Sequence, residues 1–460
     1  MRLWDRYGVR CLVAALSGLM IALAYPPLGW GWLVFPGLAG FFLSIRGQRG
    51  TRARGLGFLH GMLAYGVGLS WLFHIFGTLA VLLFAVMAAF PVLFAHFQAR
   101  AEERGISGWR FAVFAALNWS AWEFIRAELF PLKFPWMTNG LALGPNALLP
   151  WIGVYGVGVV VVFVVALAVV RKWLPAFAIA TGLAAAVIAF QPMGKPAGND
   201  PQVIRVGGIQ LEGVGFDNLV AATRKLPADV SYVVWPEYSV PYDLRADKRD
   251  WKVARDLCAE RNLTLTLGTQ NWKDGGDAWR NIALTLDSSG VRGEHNKVHT
   301  VHFFNDGKAG RAALPVETRH GKIGTPVCFD CDYEAVCRKM TRSGAEAFIV
   351  PIMDAVSWSA RQHEQHAELF RIRACENARW MFVCATSGVS QVIDPHGGIH
   401  GLLPALEEGS LTGSIRRETE LTFYTKWGWM FPWVVLSLAL ACWVCVLLPR
   451  RKSKAAEGRL

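Results

Sequence analysis

Thr325-Pro326-Val327-Cys328-Phe329-Asp330 is a short apolar run that ends on a cysteine and passes at once into an acidic, helix-like segment. A strand that stops there is expected to leave the Cys328 sulfur exposed at the mouth of a sheet, with the Phe329 N–H free to face a developing oxyanion. Cys328 is therefore the candidate nucleophile. A thiol needs a base to become a thiolate and a cation to stabilise the charge its attack creates. Two upstream segments offer such groups in matching strand-end settings: Val233-Val234-Trp235-Pro236-Glu237 and His295-Asn296-Lys297. Each residue alone reads as structural or as a solvated charge. The order Glu, Lys, Cys, each closing or following an apolar run, points to chemistry.

The surrounding chain has 460 residues, of which 53% are hydrophobic, only 18% charged and 20 are Trp, a balance typical of a membrane protein. The formal charge of +12 is carried largely by short basic clusters between apolar stretches, which orients a chain in a bilayer and argues against a nucleic-acid partner. Candidate spans cover residues 11–25, 30–45, 55–75, 79–99, 110–127, 147–170, 173–191 and 429–448, eight in all. A signal peptide is rejected for the first, because no small-residue cleavage site follows it. Arg2/Arg6/Arg10, Arg46/Arg49/Arg52/Arg54, Arg100/Arg104/Arg110, Arg171/Lys172 and Arg450/Arg451/Lys452/Lys454 fall at the N-terminus and then in every second loop. By the positive-inside rule both ends are cytoplasmic and the polar segment between the last two spans is external. The expected domains are a seven-helix bundle over 1–191, an extracytoplasmic domain over 192–428, and an eighth helix with a basic tail over 429–460.

Within the spans, His74, His96 and Glu123 are expected to lie near the interfaces or to pair inside the bundle. Trp119, Trp122, Phe124, Arg126, Phe134, Pro135 and Trp136 read as an aromatic belt at an external span end, within reach of a lipid headgroup.

The Pro/Gly-rich segment 192–201 marks the domain boundary, and beyond it short β-like runs alternate with helical segments, the sign of an α/β layer fold. Strands are expected at 203–210, 231–235, 263–268, 281–287, 347–351 and 380–385, and helices at 217–226, 251–261, 332–342 and 363–378. A final strand-turn element centres on Asp394-Pro395-His396-Gly397-Gly398. The nine cysteines form no regular framework, and Cys328-x-x-Cys331 with Cys337 lacks the second pair a zinc site needs. His363-Glu364-Gln365-His366 is one residue too short for a zinc-protease motif and reads as a solvated helix face.

Taken together, these features resemble apolipoprotein N-acyltransferase, the membrane-anchored branch of the nitrilase or carbon-nitrogen hydrolase superfamily. The resemblance covers nearly the whole chain. It rests on the Ala-Tyr-Pro-Pro-Leu-Gly-Trp turn near the start, on Trp122-Glu123-Phe124-Ile125-Arg126 with Phe134-Pro135-Trp136, and on four later motifs. Those are Trp235-Pro236-Glu237, Asn296-Lys297-Val298-His299, Val327-Cys328-Phe329-Asp330 and Asp394-Pro395-His396-Gly397. It implies an α-β-β-α sandwich on an eight-helix bundle, with Glu237 as general base, Lys297 as oxyanion-stabilising cation and Cys328 as nucleophile, and no metal or cofactor. The implied chemistry passes an acyl chain from a phospholipid through a Cys328 thioester to an amine, such as the N-terminus of a lipoprotein. Phe329, Asp330 and Asp354 are the implied substrate contacts.

The sequence departs from the family pattern in four places. Cys-Tyr-Glu is here Cys328-Phe329-Asp330, and the acidic residue after the lysine is Asn305 or a shifted Asp306. The segment Asn-Asp-x-Trp-Phe is here Met353-Asp354-Ala355-Val356-Ser357-Trp358, and the arm between Lys297 and Cys328 is short. Members associated with conjugal transfer resemble this divergent pattern. The alternatives are a membrane amidase that passes the thioester to water and a structural component of a conjugation or envelope complex.

Overall fold

The computed structural model describes residues 6–196, 200–272 and 278–449. Arg2, the basic cluster from Arg450 to Lys454 and part of the 192–201 linker lie outside the described residues. All eight apolar stretches are helical. They are α1 (Tyr7–Leu23), α2 (Val34–Ile45), α3 (Gly50–Gly68), α4 (Leu72–Phe76) with α5 (Ala80–Glu103), α6 (Gly108–Phe124), α7 (Leu149–Val169), α8 (Trp173–Ile188) and a last helix at Phe431–Leu447. Among the described residues, three helical stretches are long and apolar enough to cross a membrane: Leu72–Glu103, Leu149–Val169 and Gly428–Leu447. Tyr7–Leu23, Gly31–Ile45 and Trp173–Ile188 are apolar but shorter.

The bundle core is aromatic. Phe42 and Trp119 both pack on Phe94 with ring centroids 5.0 Å apart, and the His60 ring stacks on Phe41 at 4.1 Å with its Nδ1 2.8 Å from Ser17 Oγ. The expected aromatic belt is also interior. Arg126 is buried, and its Nη1 donates to the Phe134 and Trp136 carbonyls at 2.8 and 2.9 Å. A chain that leaves a helix at the bundle end has unpaired carbonyls, and the guanidinium satisfies them instead of meeting a headgroup. Glu123 is buried too and accepts the Asn139 N–H at 2.9 Å, whereas His74 is exposed and His96 half-buried.

Residues 203–416 form two six-stranded sheets. The first has the order β12-β1-β2-β3-β4-β5, with β1 (Val203–Gln210), β2 (Tyr232–Val234), β3 (Thr264–Asn271), β4 (Arg280–Asp287), β5 (Gly290–Asn296) and β12 (Gly409–Arg416). The second is β11-β10-β9-β8-β7-β6, with β6 (Val316–Thr318), β7 (Gly321–Gly324), β8 (Ala347–Ile352), β9 (Met381–Ala385), β10 (Ser390–Ile393) and β11 (Ile399–Leu403). Strands β2, β8 and β9 are apolar at nearly every position because both of their faces are covered. The sheets pack face to face through Val206, Tyr232 and Val234 against Ile349, Phe382 and Cys384.

Helices α9 (Phe216–Arg224) and α10 (Lys248–Glu260) cover the first sheet with Leu219, Val220 and Leu257. Helices α11 (Glu334–Arg342) and α12 (Ala360–Asn377) cover the second with Val336, Met340 and Phe370. The result is the expected α-β-β-α sandwich. Strands β6 and β12 were not expected, the first being three residues long and β12 half-exposed with little alternation, and the strand expected to run up to Cys328 is β7, which stops at Gly324.

Helix α12 faces two cores at once: Phe370 and Ala374 pack on the second sheet, while Leu369, Ile372 and Cys375 join the bundle core. For that reason His363, Gln365 and His366 are buried, and the reading of this stretch as a solvated face is corrected.

Candidate active site

The chain leaves β2 through Trp235-Pro236 and turns at Glu237. Gly268 of β3 lets that turn approach, since a Cβ on it would lie 2.4 Å from the Glu237 Cα. Its N–H instead donates to the Pro236 carbonyl at 3.1 Å. Lys297 follows β5 directly, its N–H bonded to the Asn281 carbonyl of β4 at 2.9 Å. The ammonium lies 2.8 Å from Glu237 Oε1 and 2.8 Å from Asp306 Oδ2. Asn281 Nδ2 bridges the two carboxylates at 2.6 and 2.7 Å. Asp306 also accepts the Val301 N–H at 2.8 Å and the Tyr238 hydroxyl. Of the two acidic-position candidates, then, Asp306 joins the site while Asn305 is exposed.

Cys328 opens a short turn, Cys328–Cys331, with φ of +48°, in the left-handed region that is uncommon for a side-chain-bearing residue and recurs at functional sites. Its Sγ lies 3.7 Å from the Met353 carbonyl, and the Met353 N–H donates to Glu237 Oε2 at 3.0 Å, so residue 353 spans the thiol and the carboxylate. The sulfur is not exposed at a sheet mouth as expected. Cys328 is only 4% exposed because the bundle and the segment 301–304 close over it. Cys331 lies instead against Cys337, with sulfurs 3.7 Å apart, and both are free.

Burial sets the protonation preferences here. It pushes the Cys328 thiol well up, with Glu237 adding to the rise and Lys297 opposing it. It also raises Glu237 against the pull of Lys297. Burial alone would lower the Lys297 ammonium, but Glu237 and Asp306 outweigh it and hold Lys297 well above its usual range. Asp306 stays below the usual carboxylate range because Lys297 more than offsets its burial. The site therefore favours the protonated forms of the thiol, of the Glu237 carboxyl group and of the Lys297 ammonium.

The other expected contacts separate. Phe329 lines the cavity beside Cys328 and packs edge-on against Tyr333 at 5.2 Å. Asp330 does not line it. Its Oδ1 accepts the Val298 and His299 N–H groups at 2.9 and 2.8 Å, and its Oδ2 accepts the Val327 N–H and meets His295 Nε2 at 2.9 Å. Both oxygens are used in clasping the Lys297 and Cys328 segments together, so Asp330 stands behind the pocket. Asp354 does line the cavity, and it is buried against His366 Nδ1 at 2.9 Å and Gln362 Nε2 at 2.9 Å.

The cavity itself runs from Cys328 between α4, α5 and the 301–304 segment. Leu72, Ile75, Phe76, Leu83, Met87 and Trp71 make its bundle wall. Its polar end holds Asp354, Gln362 and His366, with Trp136 beside them. Sequence reasoning missed Asn281 and Asp332, which carry no motif signal, and it set His366 aside as part of a solvated helix face; each becomes significant only through partners far away in the chain.

The sandwich, with these groups gathered where its strands end, defines a carbon-nitrogen hydrolase domain. The sequence profile of carbon-nitrogen hydrolase matches residues 166–421, and that of the apolipoprotein N-acyltransferase N-terminal domain matches residues 17–167. The chain belongs to the carbon-nitrogen hydrolase family, in its apolipoprotein N-acyltransferase branch. It is similar to the apolipoprotein N-acyltransferase of Geobacter metallireducens, at 26% identity over 96% of each chain. It is also similar to that of Ralstonia nicotianae, at 27% identity over 90% of this chain and 89% of the relative. Among solved structures, Saccharomyces cerevisiae Nit3 of the nitrilase superfamily aligns at 21% identity and a TM-score of 0.40, over 55% of this chain and 97% of that one.

Proposed function

We propose that this protein is a membrane N-acyltransferase that moves an acyl chain from a phospholipid, through a Cys328 thioester, to the amine of a lipoprotein. The observation that carries the reading is the position of Cys328. It sits at one end of an apolar cavity walled by bundle helices and beside the buried Glu237–Lys297–Asp306 cluster. A soluble amide substrate has no use for such a wall, whereas an acyl chain buries about 0.8 kcal/mol per CH₂ against it.

In the first half-reaction Glu237 takes the Cys328 proton as Sγ attacks the ester carbonyl. The oxyanion is met by the Lys297 ammonium and the Phe329 N–H. Collapse breaks the ester C–O bond, and the proton on Glu237 passes to the departing lysophospholipid oxygen. In the second half-reaction the amine attacks the thioester and the C–S bond breaks. The amine proton passes by way of Glu237 to the sulfur, regenerating the thiol. Asp306 and Asn281 hold the base and the cation in register throughout.

The bundle reading that goes with this has all eight apolar helices crossing the membrane, with residues 1–191 and 429–460 forming the anchor and 192–428 the external catalytic domain. The alternation of basic clusters supports it. Because Cys258, Cys328, Cys331, Cys337, Cys375 and Cys384 are all buried, an impermeant thiol label needs a new site. A cysteine introduced at exposed Asp217 is expected to be labelled in intact cells; labelling confined to inside-out vesicles would reverse the orientation.

The chemistry is tested with acyl-labelled phospholipid and purified protein. A hydroxylamine-sensitive label on Cys328, absent in Cys328→Ala, followed by its appearance on an added lipopeptide, is the expected result. Release as free fatty acid instead would make the protein a hydrolase.

A further inference from the structure

The polar end of the cavity holds a second cation between two carboxylates. His366 Nδ1 is 2.9 Å from Asp354 Oδ1, and Nε2 is 3.1 Å from Asp332 Oδ1, an ion-pair contact lying off the hydrogen-bond line. Two carboxylates face one buried imidazole, and their charge favours its doubly protonated form. Asp332 is held in turn by the Trp136 indole N–H at 2.5 Å, and the Trp136 ring stacks on His366 at 5.7 Å and 19°. Asp332 lies in the segment just after the nucleophile's turn, Asp354 follows β8, and Trp136 belongs to the bundle. His366 therefore joins the three segments that bound this end of the cavity.

Two features at this end have no role in the chemistry described above. Gly388 is pressed so close that a Cβ there would lie 2.4 Å from Asp354 Oδ2, an oxygen that also lies 3.0 Å from His366 Nδ1. Gln362, 3% exposed and lining the cavity, donates its Nε2 to Asp354, and its Oε1 is left buried with no hydrogen-bond partner among the described residues. A buried acceptor without a donor is costly unless something supplies one. The Asp354 carboxylate and the Gln362 carbonyl together form a pair of acceptors, one residue along from Met353, whose carbonyl touches Cys328 Sγ.

We infer that Asp354 and Gln362 form the subsite that receives the acceptor's primary amine, with His366 as the positioning residue that holds Asp354 toward Cys328. The inference rests on the acyl-transfer reading and adds to it the contact that distinguishes an N–H donor from a phospholipid ester, which has no N–H at its reacting carbon. An amine approaching the thioester donates to Asp354 and Gln362, and this orients its lone pair toward the thioester carbonyl. The new N–C bond forms as the S–C bond breaks, and the proton leaves through Glu237 to the sulfur.

The test separates the two half-reactions in single-turnover experiments on the full-length protein in detergent. The probes are acyl-labelled phosphatidylethanolamine and a synthetic diacylglyceryl-cysteinyl peptide with a free N-terminus. In Asp354→Asn, His366→Met and Gln362→Leu, transfer from thioester to peptide is expected to fall about 10- to 100-fold more than thioester formation does, the size of a lost charge-assisted hydrogen bond. Asp354→Asn and His366→Met should be non-additive, since they remove one unit. Gln362→Leu, which removes no charge, keeps the test open if the other two fail to fold. Equal loss in both half-reactions, or unimpaired transfer, would overturn the subsite. A wild-type protein that forms no Cys328 thioester would instead overturn the acyl-transfer reading itself.

Discussion

Lys297 and His366 are both buried cations clamped between two carboxylates, but they are assembled from different parts of the molecule. The partners of Lys297 all come from the first sheet and the segment after it: Glu237 after β2, Asn281 on β4 and Asp306 at the end of the 301–306 loop. That cluster is complete within the sandwich. The partners of His366 come from the segment after Cys328 and the end of β8, and the whole is capped by Trp136 of the bundle. His366 and its two carboxylates belong to the sandwich, and only the Trp136 cap over them depends on the bundle being docked. The contrast teaches that the groups proposed for chemistry are set by sheet register, while the cap over the substrate end is set by docking.

The largest expected effect is on the Lys297 side. Glu237→Gln keeps shape and hydrogen bonding but removes the proposed base, so acyl-enzyme formation in single turnover should fall about 100- to 10,000-fold. Full activity would mean that the two clusters do not divide the labour in this way. Lys297→Met should slow the same step about 100- to 1,000-fold. It also leaves Glu237 and Asp306 buried without their cation, so chemical denaturation should show a loss of about 3–5 kcal/mol. If stability is unchanged, the carboxylates have another counter-charge and the cluster is not self-contained.

Gly268→Ala tests the register argument directly. The added Cβ must displace the Glu237 turn, and a misplacement of about 1 Å costs on the order of 100-fold in rate. Label incorporation on Cys328 measures it, and an unaffected rate would show that β3 does not position the base.

The smallest effect is in pH dependence and sharpens the comparison further. Burial alone would lower the His366 imidazolium, but Asp354 and Asp332 outweigh it and raise it from 6.5 to about 10. A group raised on folding contributes stability that is fully present below its unfolded value and is lost as pH climbs through the folded one. Thermal unfolding should therefore weaken progressively from about pH 6.5 to about pH 10 because of His366. Lys297, held well above 10.5, contributes no such loss in that window. The decline should be shallower in His366→Met, and an identical slope in both proteins would place the imidazole outside this linkage.

Much of this architecture could be read along the chain. Apolar length marks a helix whatever surrounds it, and all eight stretches became helices. Alternation of short apolar runs with amphipathic segments carried the α/β layers, and β1 coincides with its expected range at Val203–Gln210. Glu237 and Cys328 stood out because each sits where an apolar run ends, whereas the strand before Lys297, Gly290–Asn296, is polar and Lys297 stood out by its place between them. Short or half-exposed strands such as β6 and β12 lack that pattern, because edge residues facing water on one side are free to vary.

The rest was decided by contacts between distant segments. Asp330 and Asp354 look equivalent in the chain, yet one became a clasp behind the pocket and the other part of its lining. Nothing local distinguishes Asn305 from Asp306, but the loop that carries them turns only Asp306 toward Lys297. A run of His363-Glu364-Gln365-His366 reads as solvated until α12 is seen to lie between the second sheet and the bundle. Trp136 and Asp332 are 196 positions apart and meet only in the folded molecule. Periodicity reports which face of an element is apolar; which other element covers that face, and which charges it brings along, is a property of the packing alone.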